Sequence, residues 1–147
     1  QDEGEAEDFI ILSFDSMIAC EGNAVGKADT KKQAFEDIQS FVGKDQQVIT
    51  GMAAIGHWKG EYFEKVVHTA TDVQFRSDIS NCQIRSYLDF NDWQGKCGSY
   101  SILGPGIFLL EKIDGDFQNI IGIPVVQMGK LIHEITGKNP VSVLERR

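Results

Sequence analysis

The sequence is short of cysteine, histidine, positive charge and long apolar runs, and each shortage removes a class of protein. Cys20, Cys82 and Cys97 are odd in number and widely spaced. That pattern argues against a disulfide framework or a zinc site and points to a reducing interior, the cytoplasm. His57, His68 and His133 lack metal-ligand spacing and read as hairpin, strand and helix residues. Lys and Arg number 14 against 22 Asp and Glu, a net charge of −8. This argues against broad binding of nucleic-acid polymers or anionic membranes. Apolar runs such as residues 9–12 fall far short of the ~20 residues that a membrane span needs. Gln1 opens the chain with no Met and no charged-then-apolar leader. No secretion signal is therefore expected, and the natural chain is expected to start further upstream.

What is present fits one soluble globular domain, with 147 residues, 41% hydrophobic and 24% charged. Residues 1–8 are acidic and almost without apolar side chains, as in a disordered terminus, which leaves 9–147 as the domain. Phe9-Ile-Ile-Leu-Ser-Phe14 predicts a buried interior strand, and Met17 to Val25 a second short strand with a turn at Glu21-Gly-Asn23. Thr30-x-x-Gln33 predicts a helix capping box, with Ala34, Ile38, Phe41 and Val42 on one face and Gly43 beyond the end. Val48 to Ile55 reads as a strand, His57-Trp-Lys-Gly60 as a hairpin turn, and Tyr62 to Phe75 as an alternating strand. Ser80-x-x-Gln83 starts a second helix and Pro124 the last one, which Gly137 ends. The order βα-ββ-α-ββ-α predicts an α/β domain around a mixed sheet.

The stretch KCGSYSILGPGIFLLEKIDGDFQNIIGIP, residues 96–124, sets Gly98, Gly104, Gly106, Gly115 and Gly122 around the apolar run 107–110. Glycines beside a buried strand, with strand, tight turn and strand expected here, suggest a constrained cleft. The stretch resembles the Maf (septum-formation) family, whose members read roughly KAGAYGIQGLG and then GDYSNVVGLP. Ser13-Phe-Asp15-Ser16 aligns with the family's Ala-Asp-Thr, and Gly26-Lys27-Ala28 with Gly-Lys-Pro. Val48-Ile-Thr50-Gly51 aligns with Val-x-Thr-Gly, and Asp72-Val-Gln-Phe75-Arg76 with Val-x-Phe-Arg. Together these cover residues 10–135. The resemblance implies a Maf/ITPase-like fold, an elongated, bent mixed β-sheet flanked by helices with a cleft between two lobes.

It also implies a nucleoside-triphosphate pyrophosphatase that takes Mg²⁺ or Mn²⁺ and acts on non-standard or pyrimidine nucleotides. Asp15 would be the catalytic acid and metal ligand; read alone, it is a strand-end Asp capping backbone amides. Ser16, Lys27, Arg76, Lys96 and Leu103 would contact substrate. Read alone, the lysines are solvated surface, and Arg76 suits a neighbouring carboxylate as well as a phosphate. Asp116 and Asn119 read as side chains bonded to the turn and helix-entry backbone. A homodimer is compatible with all of this.

Two departures stand out. Family members open with a strand and a Ser-x-Ser-Pro-Arg-Arg loop, then supply a Glu and another Lys, and this sequence begins just before the Asp15 strand. The resemblance therefore implies an N-terminally truncated fold with weak or no turnover by itself. Leu103 stands where the family has a Gln that helps choose the base, while Ser16, Ala28 and Cys97 replace Thr, Pro and Ala. The alternatives are a non-catalytic nucleotide-binding or interaction module of the same fold, or an acidic α/β scaffold without a ligand.

Overall fold

A computed structural model describes residues 7–143. The expected acidic terminus therefore lies, through residue 6, outside the described residues. Strand β1 (Phe9–Cys20) turns tightly into β2 (Asn23–Val25), and helix α1 (Lys31–Phe41) leads to β3 (Asp45–Trp58) and β4 (Glu61–Phe75). Helix α2 (Asn81–Leu88) and a 3-10 helix (Pro105–Leu109) precede β5 (Leu110–Asp114). The chain closes with α3 (Phe117–Ile121), α4 (Val125–Thr136) and α5 (Pro140–Val143).

The strands form one open sheet in the order β2-β1-β3-β4-β5. The α/β class stands, with helices against a sheet. Every pairing between the described strands is antiparallel, where the sequence had suggested a mixed sheet. The central hairpin imposes part of this: Trp58 faces Glu61 across a two-residue turn in which Lys59 and Gly60 have φ of 51° and 80°. Two positive φ values give the turn whose twist matches that of paired strands, and such a turn permits only antiparallel neighbours.

The capping signals work as read. The Thr30 hydroxyl accepts from Gln33 N, and the Ser80–Gln83 pair forms a complete capping box. Pro124 precedes α4, and Gly137 ends it with φ of 70°. Other expectations fail. Strand β1 runs unbroken through Asp15, which pairs with Gly51 inside the strand rather than ending it, and residues 17–20 continue β1 instead of starting a second strand. The run 107–110 lies mostly in the 3-10 helix, because Pro105 suits a helical first turn and the strand starts only at Leu110. Phe9 and Ile11 are exposed, so β1 is buried on one face only. An apolar run suggests two-sided burial, but only alternate residues of β1 are turned toward the helices.

Both cores lie on the same face of the sheet. Ile18, Val48, Val73 and Phe75 pack against Ala34, Ile38 and Phe41 of α1 and Ile84 and Leu88 of α2. Further along the ribbon, Ile10, Leu12, Phe14, Met52 and Ala54 pack under Met128, Leu131 and Ile135 of α4. Between the two cores the register places Ser16 beside Thr50 and Thr50 beside Thr69, a polar row with no large apolar side chain. Helix α3 sits on that row and fills it with Asn119, which is fully buried. Asn119 Nδ2 donates to Val48 O at 2.9 Å, Thr69 O at 3.3 Å and Thr71 Oγ1 at 3.1 Å. Asp116 caps α3 through Gln118 N. The bonds expected of Asp116 to turn and helix-entry backbone are present, whereas Asn119, expected to bond the same turn, reaches across to β3 and β4 instead.

Candidate active site

The seam between the two cores opens into a cleft of about 410 Å³ at the outer edge of β1, a size suited to a small ligand. Among the described residues β2 covers that edge only at Ile18–Cys20. Over residues 14–17 the edge forms one wall of the cleft. The segment Gly95–Cys97 lies opposite, with the Cys97 thiol 3.8 Å from Ser16 O. Helix α3 and its Gly122 cap contribute Ile120 and Ile121, and the loop before the 3-10 helix adds Tyr100 to Leu103.

The two candidate lysines come together for a backbone reason. Lys27 pairs with Cys97 in an isolated antiparallel bridge, and Gly98 N donates to Gly26 O at 3.0 Å. This clamp brings the backbones of residues 26–27 and 97–98 together, and Lys27 and Lys96, both exposed, each line the cleft. Gly98 makes the close approach feasible. Its φ is 69°, and a Cβ there would meet Ile18 Cδ1 at 2.6 Å. Two cations at one mouth of a chain with net charge −8 create a local attraction for anions that the rest of the surface opposes.

Asp15, Ser16, Lys27, Lys96 and Leu103 therefore all line one cleft. They do not all point the same way. Successive strand residues face opposite sides: Ser16 faces the helices and bonds Thr50, whereas Asp15 is exposed toward the open side of the sheet. Asp15 thus stands on the rim of the cleft rather than on its floor. Leu103 is 70% exposed, also on the rim.

Arg76 does not line the cleft. Its guanidinium is bidentate to Asp78, at 2.9 and 2.8 Å, and Nη1 donates to Phe108 O at 3.1 Å. The bonded Asp78 carboxylate raises the Arg76 pKa, and Arg76 holds the Asp78 carboxyl below its usual range. The arginine ties the end of β4 to the 3-10 helix. Of the two partners the sequence allows, a phosphate or a neighbouring carboxylate, the structure shows the carboxylate.

Two residues that line the cleft, Tyr100 and Ser101, and one behind its wall, Thr50, are not evident as site residues from the sequence. Tyr100 is buried with its ring edge-on to Phe75, and desolvation raises its phenol pKa so that it stays neutral. Ser101 presents its backbone N–H to Tyr87 Oη at 3.3 Å. Thr50, fully buried, holds Ser16 from beneath. Thr50 lay within a quoted motif, but its part depends on a pairing with β1 that spacing along the chain does not reveal.

Among the described residues no group of three or more His, Cys, Asp and Glu side chains converges as a metal site. Among the described residues Asp15 is the only carboxylate lining the cleft. This donor set does not fit a resident metal ion. It does fit a magnesium-like ion, which keeps several waters and is held by one or two carboxylates together with substrate phosphates. The three cysteines are free thiols.

Known proteins resemble this chain over most of its length. A family model described as Maf, Maf-like protein, matches residues 2–135. The chain is 33% identical over 126 residues to a dTTP/UTP pyrophosphatase of Methanococcoides burtonii, covering 86% of this chain and 63% of that protein. It is 35% identical over 122 residues to a dTTP/UTP pyrophosphatase of Latilactobacillus sakei, covering 83% and 65%. The protein of the same name in Pyrococcus furiosus is 32% identical over 124 residues, covering 83% and 62%. The chain spans a little under two thirds of the length of these curated relatives. On the family match and these identities, the chain belongs to the Maf family.

Proposed function

We propose that the protein is a metal-dependent nucleoside-triphosphate pyrophosphatase of the cytoplasm, acting on a pyrimidine or non-standard nucleotide. The observation that carries this is one cleft lined by Asp15, Lys27 and Lys96, with the clamp between Gly26–Lys27 and Cys97–Gly98 joining the two lysine segments. The activity for which these relatives are named supports the reaction and the substrate class. In this reading the lysines hold the triphosphate as flexible point charges. Ile102, Ile120 and Ile121 offer an apolar wall to the nucleoside. Asp15 takes the proton of a water that attacks phosphorus. The bond between the α-phosphorus and the bridging oxygen breaks, and nucleoside monophosphate and pyrophosphate leave. A divalent cation bound with the triphosphate would be held by Asp15 and draw charge off the phosphates.

The test is pyrophosphate release from dTTP, UTP and a nucleotide panel with Mg²⁺ or Mn²⁺, alongside calorimetric binding of α,β-imido analogues. Turnover with saturable binding is expected; a protein that binds none of the analogues removes the proposal. The exposed, solitary Asp15 favours one second reading, a nucleotide-binding module without turnover. Tight analogue binding with no pyrophosphate release would select it. A homodimer is part of the proposal and is read by sedimentation.

Leu103 supplies a prediction about selectivity. An apolar side chain on the rim cannot hydrogen-bond a base edge, so the protein is expected to discriminate poorly among bases. Leu103→Gln is expected to raise preference for one base by about 5- to 10-fold, the value of one hydrogen bond near 1 kcal/mol. The measurement is kcat/KM for several nucleotides in both proteins under one metal condition. Unchanged ratios mean that Leu103 does not face the base.

A further inference from the structure

The Ser16–Thr50–Asn119 chain of hydrogen bonds has a direction. Thr50 Oγ1 lies 3.3 Å from the backbone carbonyl oxygen of Asn119, which can only accept, so Thr50 is the donor there. A hydroxyl has one proton. In the 2.7 Å contact between Ser16 Oγ and Thr50 Oγ1 the donor is then Ser16. This is the one arrangement that uses both hydroxyl protons, and Thr50 is fully buried with no water to turn to. The terminal acceptor is itself fixed, because Asn119 Nδ2 is bonded to β3 and β4 and Asn119 O also receives Gly122 N at 3.0 Å.

We infer that Thr50 is a positioning residue that turns the Ser16 hydroxyl into a pure acceptor toward the cleft, so that Ser16 reads a hydrogen-bond donor on the nucleoside half of the ligand. The inference rests on the cleft being a nucleotide site. Phosphate oxygens at neutral pH are acceptors and gain nothing from such a group. The lysines serve them instead. The Asp15 water is not its partner either, because Asp15 and Ser16 project to opposite faces of β1. Ser16 also sits beside the Gly122 cap, where a Cβ would come within 3.6 Å of Ser16 Oγ. That is the α3 side, next to the apolar Ile120 and Ile121. On a pyrimidine nucleotide the donors available are the sugar hydroxyls and the base N3–H.

The test is calorimetric binding of α,β-imido-UTP and its 2′-deoxy, 3′-deoxy and N3-methyl forms. The native protein is expected to bind one of the three modified forms about 5- to 10-fold more weakly than the parent, and which one identifies the donor. Thr50→Val, close in shape but without the hydroxyl, frees the Ser16 proton and should shrink that difference to under about 2-fold. Thr50→Ser should restore it, and Ser16→Ala should abolish it. Tripolyphosphate, which carries only acceptors, should bind Thr50→Val no more weakly than native. A general loss of structure would lower all these affinities together. Equal binding of all four nucleotides by the native protein overturns the inference, as does a difference that survives in Thr50→Val. If the native protein binds no nucleotide, the reading of the cleft itself fails.

Discussion

Asp15→Asn is expected to lower pyrophosphate release by about 10²- to 10⁴-fold, the usual contribution of a positioned acid or base, with little change in stability. The physical case separates the two effects. Asp15 is exposed on the open face of β1 and belongs to neither apolar core. A surface change of that kind typically stays within about 0.5 kcal/mol. Asparagine keeps the shape but cannot take a proton from water and holds a divalent ion poorly. A second readout does not depend on turnover. Mg²⁺ should strengthen binding of α,β-imido-dTTP to the native protein and add little for Asp15→Asn. Denaturant unfolding of both proteins completes the comparison. Several kcal/mol of lost stability with Mg²⁺-linked binding and turnover intact would make Asp15 a structural residue of β1 and nothing more.

Lys27 and Lys96 test the other half of the same arrangement. Both are exposed, so neither contributes much to folding. Lys27→Gln and Lys96→Gln are each expected to weaken tripolyphosphate binding severalfold and to flatten its dependence on salt. Because exposed charges are screened over about 10 Å at 0.1 M salt, the difference from native should be largest at low ionic strength. A salt dependence identical in native and variants would take the lysines out of the site.

Local signals in the sequence were read well where one short stretch decides the outcome. The caps at Thr30 and Ser80, the alternation of β4 and the stop at Gly137 each depend on a few neighbours along the chain. The resemblance then placed five residues that line one cleft, although each alone is an ordinary surface or strand residue. What stayed hidden depends on pairing across the chain. Phe9 and Ile11 read as core because an apolar run gives no hint of which face meets a helix, and only Ile10 and Leu12 do. Arg76 sits in a family motif, yet its fork closes on Asp78, two residues away. The apolar run 107–110 has the composition of a strand, but the proline and glycine before it turn the backbone into a 3-10 helix first. The polar row Ser16–Thr50–Thr69 could not be seen at all without the register of three strands.

That row also carries the largest stability effect expected of any single change. Asn119→Leu keeps the side-chain volume close to native and removes an amide that bonds Val48 O, Thr69 O and Thr71 Oγ1. Asn119, Thr71 and Val48 are buried, so Val48 O and Thr71 Oγ1 gain little from water in exchange. Leaving a buried polar group unpaired costs about 1–3 kcal/mol, and the losses here share one environment, so they do not simply add. The expected destabilisation is about 3 kcal/mol by urea unfolding. Thr71→Val is the control. Its hydroxyl donates to Asp116 O at 2.8 Å and receives only one of the three amide bonds, so a loss nearer 1 kcal/mol is expected. The double variant should fall short of the sum, because both changes break the same Asn119–Thr71 contact. Function should follow structure in a specific way. Helix α3 carries Ile120 and Ile121 into the cleft wall, and loosening its anchor should weaken analogue binding even at temperatures where the variant remains folded. A loss under 1 kcal/mol would mean that α3 is held by its apolar contacts, with the Asn119 amide merely tolerated beneath it.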